Sequence, residues 1–231
     1  MLHVSWQRMF VIKELANIAA KMHKEKVHAE KVYISISSKD IFEDFQDVVS
    51  STDSYRRLFA KLFEEMERFN FKESASVTDS KFENKKAQFE NIKLYEHTIN
   101  TFNSMLKILG GTETSQQYLN KDIFLIIALL HDFGKSHALC EAYDIDITEH
   151  DHWVRSADYF IKLINEDDDL YLLEETTIKI IHKTLFLHHT NISKEKKTDF
   201  LSKLIEADKL ARDLELKKLE LVKQSEQRND S

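Results

Sequence analysis

The sequence predicts an all-α protein built around a helical bundle, and three observations carry that expectation. The chain has no proline and only three glycines, Gly110, Gly111 and Gly134, whereas sheet-rich folds are punctuated by both residue types. Apolar residues recur at i, i+3, i+4 and i+7 in one segment after another. With 42% hydrophobic and 32% charged residues over 231 positions, there is enough apolar surface for one sizeable domain, or one domain plus a helical extension. The charge is too high for an integral membrane protein.

Residues 5–31 carry Met9, Ile12, Leu15, Ala16, Ala19 and Met22 at helical spacing, which predicts an amphipathic helix. Val32 to Ser37 alternates like a short strand. A helix over 54–71 follows, with Leu58, Leu62, Met66 and Phe69 on one face, and the Ser-, Lys- and Glu-rich stretch 72–84 reads as a linker. Further helices are expected at 86–109, 118–133, 150–165, 172–189 and 195–223. Gly110-Gly111 would end the first of these and Gly134 the second as left-handed caps. The organisation is then a mainly helical region 1–85, a domain 86–215 and a polar tail 216–231 expected to fray.

Several function classes are excluded. The longest apolar run, Ile123 to Leu130, is far short of the ~20 residues of a membrane span. The N-terminal Met1 to Arg8 offers no small-residue cleavage site, and Cys140 stands alone, so a cytoplasmic protein without disulfides is expected. Gly134-Lys135-Ser136 resembles the end of a phosphate-binding loop, but Leu129 occupies the position of its first glycine. The net charge of −7 opposes bulk attraction to nucleic acid and leaves room for a local basic groove.

The helix running through Ile123–Leu130 is apolar nearly all round and ends in His131-Asp132. A carboxylate at such a place either has reached the surface or must be paired or bind a cation. Asp208 shares a stripe with Leu201, Leu204, Ile205 and Ala211. The same offsets relate Ile178, Ile181, Leu185 and His188, with His189 next, so at least one imidazole points at the core. His97 follows Leu94 and precedes Thr101 along an edge beside the stripe of Ile92, Ile99 and Met105 or Leu106. His152 is followed by the small residues Ser156 and Ala157, which permit close backbone approach. A single core histidine is ordinarily satisfied by a carbonyl; several converging imidazoles and carboxylates favour metal. His137, His150, Asp151 and His182 are assigned to solvent or to positions behind the ligands.

In order, His97, His131-Asp132, His152, His188-His189 and Asp208 resemble the signature of the HD-domain metal-dependent phosphohydrolase superfamily. Ala128-Leu129-Leu130-His131-Asp132-Phe133-Gly134-Lys135 is similar to its HDxGK segment, and Ile205-Glu206-Ala207-Asp208 to its closing helix. The resemblance covers about 86–215. It implies that His97, His131, Asp132 and Asp208 hold one metal. The additional histidines match the two-metal branches, including HD-GYP cyclic-dinucleotide phosphodiesterases and the nuclease domain of CRISPR helicase-nucleases. There, Asp132 would bridge to a second ion held by His152, His188 and His189. After His188-His189 comes Thr190-Asn191-Ile192-Ser193-Lys194 with no Gly-Tyr-Pro, and the chain has no proline, which disfavours that branch.

The resemblance thus implies phosphoester hydrolysis on a nucleotide or nucleic acid. Asp132 would be bridge and orienter, and Lys135 would donate to a phosphate oxygen or else face the helix dipole. The expected cofactors are two divalent transition-metal ions, Fe, Mn, Co or Zn. The other readings are a non-catalytic signalling or scaffold module and a di-iron oxygenase. Lys194, Lys196 and Lys197 offer a possible contact for a second phosphate, or a solvated loop.

Overall fold

A computed structural model describes residues 53–72, 75, 92–110, 120–148, 151–166, 170 and 173–229, all within the unit Ser37–Ser231. The expected helix 5–31, the strand 32–37 and most of the linker 72–84 lie outside these residues. Among the described residues there are seven α-helices and no strand, the all-α architecture expected. They are α1 (Asp53–Arg68), α2 (Leu94–Gly110), α3 (Lys121–Leu130), α4 (His137–Ala142), α5 (His152–Glu166), α6 (Glu175–Leu187) and α7 (Asp199–Asn229).

Helix α3 is the axis. Because it is apolar on every side, it can be stable only when surrounded, and it packs against α1, α2, α5, α6 and α7. Every residue from Ile123 to Leu130 is buried. Helix α1 buries Leu58, Phe59, Leu62, Phe63 and Met66 along one stripe, and Phe59 and Phe63 meet the Phe102 ring of α2 edge-on at 6.3 and 6.4 Å. Such edge-to-face pairs add about 0.5–1.5 kcal/mol each beyond the area they bury. Residues 53–68 thereby share one core with the helices that follow.

The end of α3 differs from the expectation of a helix to 133 with a left-handed glycine cap. The α-helix stops at Leu130, and Phe133–Lys135 form a 3₁₀ turn before Ser136 caps α4, its Oγ accepting from Leu139 N–H. Neither Gly110, the last residue of α2, nor Gly134 has positive φ. The left-handed positions after α1 and α4 are filled by Asn70 and Asp144, both at φ 50°, residue types that tolerate this conformation. Gly134 is needed for a steric reason: a Cβ there would stand 2.1 Å from the His152 carbonyl oxygen and 2.7 Å from the Ser156 nitrogen.

Helix α2 begins at Leu94, and residues 86–91 of the expected helix lie outside the described residues. Helix α7 runs to Asn229, through the tail expected to fray. The latter follows from composition, since the segment holds no proline or glycine and is rich in Lys, Glu, Gln and Leu, all good helix formers. No described helix is long and apolar enough to cross a membrane.

Candidate metal centre

Four helices and the turn after α3 converge on Asp132. His97 comes from α2, His131 and Asp132 from the end of α3, His152 from the first turn of α5, His188 and His189 from the end of α6, and Asp208 from α7. His97 lies on the buried face of α2 with Leu94 and Thr101, and of the stripe expected at its centre Ile92 and Met105 are buried too while Ile99 is half-buried. All seven residues marked in the sequence as candidate ligands fall into two groups. His97, His131 and Asp208 form one, and Asp132, His152, His188 and His189 the other. Within each, ligand atoms lie within 4.8 Å of one another, a spacing at which a metal ion can be held.

Asp132 faces both groups. Its Oδ2 is 3.4 Å from His97 Nε2 and 3.3 Å from His131 Nε2, and its Oδ1 is 3.4 Å from His152 Nε2. Asp208 Oδ1 is 3.1 Å from His97 Nε2. Several imidazoles are oriented from behind. The Nδ1 of His131 lies 2.9 Å from the carbonyl of Ala128, and that of His188 lies 3.1 Å from the carbonyl of Leu185. A carbonyl only accepts, so these Nδ1 atoms carry the protons and each ring presents an Nε2 lone pair to the centre.

The buried polar atoms without a hydrogen-bond partner include Asp132 Oδ1, His152 Nε2 and His188 Nε2. Orphaned buried polar atoms are costly singly, and three in one place are an arrangement a cation would satisfy. Imidazole mixed with carboxylate suits Fe, Mn, Co or Zn rather than Ca, so the residues present fit a transition metal.

The electrostatics are uneven. Burial opposes charge on His97, but the carboxylates of Asp132, Asp208 and Glu215 outweigh it and raise His97 to about 10. Its Nε2 proton thus competes with a metal ion for one lone pair. Burial would raise Asp132, yet His131 and Lys135 hold it well below the carboxylate range. Asp208 is likewise lowered against its burial, chiefly by His97. In the second group burial lowers His152 and, joined by His189, puts His188 well below its usual value. His189 reaches solvent, but its ring packs on those of His152, Trp153 and His188; desolvation, then the charge on His152, lowers it to about 4.

The close approach at Gly134 sets the position of His152. Gly134 N–H donates to Ser156 Oγ at 2.9 Å, and that hydroxyl shares its proton between the carbonyls of His131 at 3.0 Å and His152 at 2.9 Å. Arg155 Nε donates to the Gly134 carbonyl at 2.9 Å. The start of α5 is thereby pinned to the turn that carries Asp132.

Lys135 is buried, and its Nζ donates to Asp132 Oδ2 at 2.6 Å and to the Ala75 carbonyl at 2.8 Å; the helix-dipole reading does not describe it. Two residues escaped the sequence reading. Glu215 is buried against His97, and Arg212 donates to the same Ala75 carbonyl at 2.9 Å and lies 3.8 Å from Asp208 Oδ1. Both fall on the Asp208 face of α7, four and seven positions on, so the stripe could have exposed them. His137 and Asp151 are exposed and His182 half-buried, outside both groups.

In comparisons with known proteins, no family model, curated protein or solved structure matches this chain. What fold and site define is an all-α protein with a buried His/Asp cluster able to hold metal.

Proposed function

We propose that this chain is a metal-dependent phosphohydrolase acting on phosphoesters of a nucleotide or nucleic acid through a dinuclear centre. The observation that carries the reading is the division of one buried carboxylate, Asp132, between two ligand groups, with Oδ2 toward His97 and His131 and Oδ1 toward His152. A pair of divalent ions supplies a water of lowered pKa and neutralises charge on a phosphoryl group. His97, His131, Asp208 and Asp132 would hold one ion, and Asp132, His152, His188 and His189 the other.

Two cations border the centre on one side. Lys135 Nζ and Arg212 Nη2 both donate to the oxygen of Ala75, and both approach Asp132 Oδ2, at 2.6 and 4.0 Å. A point charge and a planar fork directed at one acceptor oxygen suit a phosphoryl oxygen in the same way. Lys135 also holds Asp132 in its orientation.

The test is to load the purified chain with Mn, Fe, Co or Zn. The loaded protein is then screened against a chromogenic phosphodiester, nucleoside mono- and triphosphates, cyclic dinucleotides and single-stranded DNA and RNA. Metal-dependent turnover lost in Asp132→Ala is expected. A folded, fully loaded protein that hydrolyses none of them overturns the reading, and oxygen uptake by the iron form would assign an oxygenase instead.

A further inference from the structure

We propose that Glu215 is a positioning residue which, through His97, makes the position formed by His97, His131, Asp132 and Asp208 the tighter of the two, so that metal fills it first. The inference rests on the cluster holding metal and is independent of which bond the protein cleaves.

Glu215 is 1% exposed, and a buried carboxylate is costly unless every lone pair is engaged. Its Oε1 accepts from His97 Nδ1 at 2.9 Å and from Asn100 Nδ2 at 3.0 Å, and its Oε2 from Arg212 Nη1 at 3.4 Å. Those partners come from α2 and from its own helix, α7, so the carboxylate is set by helix packing. It lies directly behind a ligating ring. There it fixes Nδ1 as the protonated nitrogen, turns Nε2 toward Asp132 and Asp208, and makes the imidazole a more basic donor. His131 and His188 lean on neutral backbone carbonyls in the equivalent place.

Charge completes the asymmetry. Asp132, Asp208 and, one ring removed, Glu215 all face the first position. The second has Asp132 and three imidazoles. Lys135 offsets Asp132, which both positions share, and Arg212 offsets one further charge of the first set; Asp208 and Glu215 together still outweigh Arg212, so the larger negative charge stays there and draws a divalent ion in place of the His97 Nε2 proton. Nothing in the HDxGK-like segment carries this; it is a contact between residues 97 and 215.

Two measurements test the proposal on the full chain. Histidine-ring nitrogen NMR during Zn titration of the wild type should show the first equivalent shifting His97 and His131, with His152, His188 and His189 following at the second. Perturbation of the latter group first, or of both together, overturns the order. Chelator competition with Zn should then show Glu215→Gln, which keeps shape and the Oε1 acceptor, weakening the first equivalent about 10–100-fold. The second should stay within about twofold of wild type. Glu215→Asp, which keeps the charge, should recover part of the loss. An unchanged first affinity in Glu215→Gln overturns the role of Glu215. A protein that fills in this order but hydrolyses no phosphoester sinks the activity proposal and leaves this one standing.

Discussion

The Nε2 atoms of His97 and His131 stand 3.3 Å apart, and both rings have already committed Nδ1, to Glu215 and to the Ala128 carbonyl. Two ring nitrogens so placed, with Asp132 and Asp208 beside them, repel unless a proton or a metal ion lies among them. The cluster is thus an arrangement that could hold a cation.

Metal content follows directly. The purified chain should bind about two transition ions, and saturating Zn or Mn should raise its melting temperature, because a ligand that binds only the folded state stabilises it by about 2.7 kcal/mol at a hundredfold excess over Kd. Elemental analysis and thermal denaturation with and without a chelator check this. A melting temperature indifferent to chelation would remove the metal from the account.

Asp132→Ala should weaken both positions at once, because each loses one oxygen of the same carboxylate, whereas Asp208→Ala should weaken only the position containing His97 and His131. Isothermal titration with Mn separates the two patterns. Circular dichroism should show the helices retained in both variants.

Gly134→Ala should be among the most damaging small substitutions in the chain. The added methyl would meet backbone of α5 at 2.1 and 2.7 Å, atoms that cannot rotate away. Overpacking of this kind costs about 3 kcal/mol or more. Urea denaturation reads the loss, and affinity for the second metal equivalent should fall with it, since the displaced element carries His152.

The metal-free chain should be most stable near pH 6.5. His97 is raised to about 10, so the folded state keeps a proton that the unfolded chain releases above 6.5; that stability is complete below 6.5 and is lost as pH rises toward 10. His189 is lowered to about 4, so the unfolded chain takes up a proton that the folded state refuses, and stability declines as pH falls from about 6.5 toward 4. Urea midpoints in chelator between pH 5 and 9 should trace this dome. His97→Gln should flatten its alkaline limb, and His189→Gln should make its acid limb shallower, the rest being carried by His152 and His188.

Much of this protein is written in local pattern. The absence of proline, and an α3 sequence apolar all round, oblige a helical protein wrapped about Ile123–Leu130. The spacing of Leu201, Leu204, Asp208 and Ala211 puts a carboxylate on the inner face of α7, and His188 follows Ile181 and Leu185 in the same way. These are consequences of the 3.6-residue turn, which needs nothing beyond one helix. The contact of Glu215 with His97, the sharing of Ala75 between Lys135 and Arg212, and the separate duties of the two Asp132 oxygens are of another kind. Gly134 shows the difference most clearly, since its sequence position suggests a left-handed cap while its place in the fold demands room for the His152 carbonyl. Each such relation depends on the distance and angle at which two helices pack. That geometry is set by how side chains from every surrounding element fill one core, so it exists only once the chain has folded.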